Sequence, residues 1–85
     1  MRRTKLDIYA DILEVVKRHK DGCGITRISY GAGMPNDRTR KFLNELISFG
    51  LIKPRVEDPK KYVITTRGLE FLDAYYKLKS ILECQ

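Results

Sequence analysis

Between Thr26 and Gly68 the chain sets out two short helical runs, a Gly50-Leu51-Ile52 stop, a basic hairpin and a fresh helix start, in that order. No other feature restricts the fold as much. A helix followed at once by a basic ribbon is a layout for holding nucleic acid, with the helix in a groove and the ribbon on the neighbouring backbone.

The punctuation around this stretch is specific. Upstream, Leu6, Tyr9, Ile12, Leu13 and Val16 recur at helical spacing behind Thr4, an N-cap residue type, and Asp7 stands in the first turn, which predicts a helix between Thr4 and Lys20. Asp21-Gly22-Cys23-Gly24 ends it. Ile25 is expected to add a residue or two of edge strand, and Thr26 to cap a short helix from Arg27 to about Ala32. After the tight turn Gly31-Ala32-Gly33, a third helix is expected from about Pro35 to Phe49, opening on a proline whose missing N–H costs nothing in the first turn, and Gly50 stops it. Leu51 to Val56 and Lys61 to Thr65 read as strands joined by Glu57-Asp58-Pro59-Lys60, where Asp then Pro favours a type I turn. Pro54 lacks a donor and belongs at an edge or an unpaired strand end. Thr65 is placed to cap a fourth helix reaching about Glu83. The expected class is mainly α with a small β-hairpin (α+β): a winged helix-turn-helix over residues 1–65, then a C-terminal helix over residues 66–85.

Charge narrows the function. The 85 residues carry 17 Lys and Arg against 11 Asp and Glu, a formal net charge of +6, and the excess lies ahead of the last helix, since residues 66–85 hold three of each sign. Such a balance suits a polyanion, although lysine also serves solubility. Cys23 and Cys84 lie far apart with a single histidine, so one chain offers neither a zinc site nor a disulfide framework, and no metal or other cofactor is expected. Without a long apolar run or an apolar signal core, the chain reads as a soluble, reduced protein of the cytoplasm, not a membrane partner. Nothing marks an enzyme: no nucleophile-base pair, metal cluster or phosphate loop is visible. His19, in the basic helix end Val16-Lys17-Arg18-His19-Lys20, suits the helix dipole. Cys23 reads as a small residue filling a turn, Tyr30 as packed between helices two and three, and Asp7, Asp11 and Glu14 as a solvated face.

On the third helix Phe42, Leu43, Leu46, Ile47 and Phe49 share the face expected to pack on helix one. Opposite stand Asp37, Lys41, Asn44 and Ser48, flanked by Arg38, Arg40 and Glu45. Arginine pairs bidentately with guanine and asparagine with adenine in the major groove, so Asn36, Asp37, Arg38, Arg40, Lys41 and Asn44 are the candidate base-reading set. The same face is also what any amphipathic helix shows to water. The hairpin adds Lys53, Arg55, Lys60 and Lys61 as candidate backbone contacts, while Glu57 and Asp58 at its tip are expected to repel phosphate.

The last helix carries two apolar stripes, Leu69, Leu72 and Tyr76, and Phe71, Tyr75, Leu78 and Leu82. One small domain covers only one of them well. The second steps by four, three and four, the heptad seam spacing, and is the candidate homodimer interface; the alternative is packing on helix one of the same chain, where Ile8 and Val15 form an apolar flank. A chain this short buries only about two-thirds of its unfolded surface, which favours oligomerisation.

The runs Thr26-Arg27-Ile28-Ser29-Tyr30-Gly31-Ala32-Gly33-Met34, Phe42-Leu43-x-x-Leu46, Gly50-Leu51-Ile52 and Tyr62-x-Ile64-Thr65-x-x-Gly68-x-x-Phe71-Leu72 together resemble archaeal winged-helix DNA-binding proteins, the small chromatin-associated regulators of about ten kilodaltons. The resemblance covers roughly Lys5 to Leu82. It implies a dimer joined by an antiparallel coiled coil of the last helices, helix three in the major groove, the wing along the backbone, and Thr26 and Arg27 near phosphates. It also implies a cytoplasmic, nucleoid-associated protein. In an antiparallel pair Cys84 need not meet its mate. Asn36-Asp37-Arg38 stands where that group often has an aromatic and a glutamine, so base preference does not carry over. The expected function is that of a dimeric double-stranded DNA-binding protein, a transcriptional regulator or a chromatin-architectural protein; the alternative is a winged-helix protein-interaction module within a larger complex that touches no DNA.

Overall fold

The computed structural model describes residues 3–83, so Cys84 lies outside it. Its elements are α1 (Lys5–Arg18), β1 (Cys23–Gly24), α2 (Ile25–Ala32), α3 (Asn36–Ser48), β2 (Ile52–Pro54), β3 (Lys61–Ile64) and α4 (Thr66–Glu83).

Helix α1 starts as its sequence predicts. Thr4 accepts from the Asp7 amide and the Asp7 carboxylate accepts from the Thr4 amide, a capping box that satisfies two donors the helix cannot reach itself. The helix is buried on more than one side: Ile12 and Leu13 are fully covered, and Ile8, Val15 and Val16 nearly so. Each such side chain contributes about 1.5–3 kcal/mol of transfer free energy, which makes α1 the centre of the core. Leu6 departs from the expected stripe and is half-exposed.

The three strands form one antiparallel sheet in the order β1-β3-β2, with Cys23 opposite Tyr62 and Gly24 opposite Lys61 on one side, and Ile52 opposite Ile64 and Pro54 opposite Tyr62 on the other. The edge strand expected at Ile25 is therefore Cys23–Gly24, and Ile25 already opens α2. Cys23 is a buried strand residue, not a turn filler, and burial pushes its thiol above the usual cysteine range. β2 ends at Pro54 on the outer edge, where a residue without an N–H leaves no ladder bond unmade.

Helix α4 docks through the seam between its two stripes. Leu72 and Gly68 are buried, and Phe71 and Tyr75 are half-buried against the core. Tyr9 of α1 is the hub, its ring meeting Phe42, Phe49 and Phe71 edge-on at centroid distances of 6.1, 6.1 and 6.4 Å. Val15 packs under Gly31 of α2, where a Cβ would come within 2.7 Å of its Cγ2. The face expected to be solvated is instead engaged, for Asp7 accepts from the Tyr75 hydroxyl, Glu14 from the Tyr76 hydroxyl, and Asp11 pairs with Arg3 at 2.8 Å. Thr65 caps α4 as expected, accepting from the Gly68 amide at 3.1 Å and donating to the Gly50 carbonyl at 2.6 Å.

Candidate nucleic-acid interface

The link between α2 and α3 sets the angle of the candidate reading helix. Gly33 closes α2 in the left-handed conformation (φ 68°, ψ 40°), and the Met34 amide returns to the Ser29 carbonyl at 3.0 Å. Pro35 is the N-cap of α3, so the helix begins at Asn36, one residue after the expected start. Thr39 is fully buried and its hydroxyl donates back to the Pro35 carbonyl at 3.0 Å, which ties the first turn down and turns its neighbours outward. Asn36, Asp37, Arg38, Arg40, Lys41 and Asn44 are accordingly all exposed. The Arg38 guanidinium stands 6.0 Å from the Phe42 ring centroid, at cation–π range.

Two residues of this polar face and its flank are otherwise occupied. Glu45 is half-buried, accepting from the Tyr9 hydroxyl and lying 3.5 Å from Lys5 Nζ. The tyrosine bond holds its carboxyl below the usual range, and Lys5 and Lys41 act in the same direction. Ser48 donates to the Glu45 carbonyl at 2.7 Å. Phe49, expected on the inner face, is half-exposed at the end of α3.

On the hairpin, Lys53, Lys60 and Lys61 are exposed, whereas Arg55 is half-buried and donates to both the Glu57 carboxylate and the Asp21 carbonyl. Both tip acids are engaged. Glu57 is paired by Arg55, and the Asp58 carboxylate accepts from the Lys60 amide at 3.2 Å while its carbonyl accepts from the Lys61 amide at 3.0 Å. Arg40 of α3 faces the hairpin across a cleft of about 280 Å3 that it lines with Ile25, Pro59, Lys60 and Tyr62.

Thr26 is exposed on the first turn of α2 but does not cap it, because the helix begins one residue before it at Ile25 and its N-cap is Gly24, which has no side chain to offer. Arg27 is exposed beside it, and so is Tyr30, which at 90% exposure does not pack between α2 and α3. Positions 26, 27 and 30 share the outward face of a helix whose inward face is Ile28, Ser29 and Ala32. Of the cations in the candidate set, only Arg55 has a carboxylate within 4 Å among the described residues.

The candidate dimer stripe divides. Phe71 and Tyr75 stack on one another at 6.4 Å and lean on the core, while Leu78 and Leu82 are 50% and 60% exposed. Leu6, Ala74 and Leu78 continue the apolar surface as a shallow groove of about 170 Å3. Among the described residues no group of three His, Cys, Asp or Glu is placed to hold a metal, and no helix is long and apolar enough to cross a membrane.

Residues 2–83 match the winged helix-turn-helix family. The chain belongs to that family. In this winged helix, α2 and α3 are the helix-turn-helix pair, β2 and β3 the wing, and β1 the short third strand. A similar solved structure is that of Sso10a-2, a DNA-binding protein from Sulfolobus solfataricus, at 32% identity and a TM-score of 0.76 over 95% of this chain and 83% of that one. A mutant of MepR from S. aureus shares the winged-helix fold at 18% identity and a TM-score of 0.73, over 91% of this chain and 60% of that one. No curated protein matches the chain.

Proposed function

We propose that this winged helix binds double-stranded DNA, with α3 in the major groove and the wing on the adjacent backbone, and that it acts as a homodimer through α4. The observation that carries the reading is the distribution of free cations: Arg38, Arg40 and Lys41 on α3 and Lys53, Lys60 and Lys61 on the wing lie on exposed surface without acidic partners among the described residues, and Arg40 and Lys60 border one cleft. Desolvating unpaired, exposed cations against phosphate breaks no internal bond, so the surface needs no rearrangement to bind. The DNA-binding Sso10a-2, at 32% identity, supports the same reading. Exposed Leu78 and Leu82 support the dimer, since a second copy would cover them. No catalytic chemistry enters; the work is recognition.

The test is fluorescence anisotropy on duplex DNA over a range of salt. With about four to six phosphates neutralised per subunit, log K is expected to fall against log salt with a slope of roughly −4 to −5 per subunit. The folded triple variant Arg38→Ala, Arg40→Ala, Lys41→Ala is expected to lose most of this affinity. Unchanged binding by that variant, or a flat salt response of the parent, would reject the reading in favour of a protein-docking module. Selection of bound duplexes from a random pool then separates a regulator, which returns a sharp consensus, from an architectural protein, which returns none.

A further inference from the structure

Four cations and a histidine meet at a place that neither α3 nor the face of the wing toward it accounts for. Arg18, His19 and Lys20 at the end of α1, Arg27 at the start of α2 and Lys61 at the start of β3 line a cleft of about 490 Å3. Asp21 is the single acid in its lining, and none of Arg18, Lys20, Arg27 and Lys61 has a carboxylate within 4 Å among the described residues. Outside the cleft and the candidate interface, Arg3, Lys5, Lys77 and Lys79 are each paired with an acid. Converging cations without counter-charges repel one another, and an anion relieves that repulsion.

The cleft is built, not incidental. Its floor is Gly22, at φ 113°, where a Cβ would come within 2.9 Å of Lys61 Cβ and 2.8 Å of Arg55 Cδ; only glycine lets the Lys61 stem approach and also tolerates this backbone. The Gly22 amide donates to the His19 carbonyl at 2.9 Å, and Arg55 holds the Asp21 carbonyl from the wing side. His19 Nδ1 lies 2.9 Å from the Val15 carbonyl, an acceptor, so Nδ1 donates there and fixes the ring at the rim, while the donors left for an anion are those of Arg18, Lys20, Arg27 and Lys61. Lys60 and Lys61 are successive residues, and they line different clefts: Lys60 the one shared with Arg40, Lys61 this one.

We propose that this cleft binds a phosphoryl oxyanion, and that its source is a DNA backbone phosphate beyond those held by α3 and the wing. The DNA source rests on the proposed function; the oxyanion site does not. Arg27 and Lys61 join the cleft to the candidate interface, so a strand lying along the wing reaches it without leaving the basic surface. Arg18 and Lys20 thereby become DNA contacts, and Arg55 a positioning residue that keeps the 19–22 loop against β3.

The experiment has two arms on the full chain. In the first, Arg18→Gln with Lys20→Gln is compared with Lys77→Gln, a charge loss on α4, by anisotropy against salt. The double variant is expected to lower the slope of log K against log salt by about 1, the loss of one phosphate, and Lys77→Gln to leave it unchanged. In the second, inorganic phosphate is titrated into the protein and amide NMR shifts are followed; saturable shifts are expected at Gly22, Arg27 and Lys61 and are expected to vanish in the double variant. Saturable shifts with an unchanged DNA slope would keep the oxyanion site and overturn the DNA backbone as its source, pointing to a free phosphorylated ligand. No localised shifts together with a parental slope would overturn the site. A parent that fails to bind DNA rejects the proposed function, and the phosphate titration then decides the cleft alone.

Discussion

The Tyr75 hydroxyl donates to the Asp7 carboxylate across 68 positions of sequence, fastening the middle of α4 to the first turn of α1. Tyr76 repeats the device two turns further along α1 on Glu14, and Tyr9 does so between α1 and α3 on Glu45. Three tyrosine hydroxyls thus anchor the helix that carries the dimer stripe and the helix that carries the candidate reading face.

Acid is expected to loosen α4 at its junction with α1. The Tyr75 bond, with the Thr4 amide, holds the Asp7 carboxyl down to about 2 from an ordinary 3.8. A carboxyl lowered in the folded state contributes stability that is complete above about pH 4 and is lost as pH falls through about 2. Carboxyl NMR titration checks this: Tyr75→Phe is expected to return Asp7 toward 3.8, and an Asp7 already near 3.8 in the parent would contradict it.

Alkali acts on the other partner. The Asp7 hydrogen bond and burial push Tyr75 up to about 12, burial and Glu45 do the same for Tyr9, and the Glu14 bond does so for Tyr76. A phenol raised above 10 contributes stability that is present below pH 10 and is lost as pH rises through about 12. Phenolate absorbance is expected to show three of the five tyrosines ionising near pH 12, together with the loss of helical circular dichroism. Ionisation of these three near pH 10 in the folded protein would be the contrary result.

Gly68 is expected to admit no side chain. A Cβ there would sit 2.3 Å from the Leu51 carbonyl oxygen and 2.5 Å from Ile64 Cγ1, so backbone and a sheet residue would both have to move. Gly68→Ala is expected to destabilise the fold by about 2–3 kcal/mol in urea unfolding, despite alanine's better helix propensity.

Within the wing, the lysines and the arginine are expected to separate. Lys60→Ala should lower the salt slope of DNA binding by about 1. Arg55→Ala should weaken binding without changing the slope, because its guanidinium is already committed to Glu57 and Asp21.

The dimer is tested best where α4 is free of its own core. Leu78→Asp with Leu82→Asp touches side chains that are 50% and 60% exposed, so the fold is expected to persist and sedimentation to report a monomer.

Much of this was legible from local chemistry. Thr4 with Asp7, Thr65 before α4, Gly33 and Pro35 around the turn, and Pro54 at an edge act within a few residues of themselves, so their roles follow from type and spacing. Tyr30 and Thr39 were not legible. An eight-residue helix offers the core barely two turns, and whether Tyr30 or Ser29 faces inward depends on the angle at which α2 meets α1. Thr39 lies inside because a back-bond to Pro35 satisfies its hydroxyl, which a hydropathy pattern does not register.

The candidate site divides in the same way. Asp37, Lys41 and Asn44 could be placed opposite the core, with Arg38 and Arg40 beside them, from a 3.6-residue period alone, and all five are exposed. That Arg55 is tied to Asp21, that Glu57 and Asp58 are engaged within the wing, and that Arg18, His19 and Lys20 share a cleft with Lys61 depend on chain segments up to more than 40 residues apart. The basic run at residues 17–20 was the one available signal, and it reads equally as an ordinary helix end. The order of helices and hairpin therefore follows from local propensity and period, which are properties of neighbouring residues. Which cations remain free to meet phosphate follows from pairings between distant segments, and those exist only once α1, the 19–22 loop and β3 are packed together.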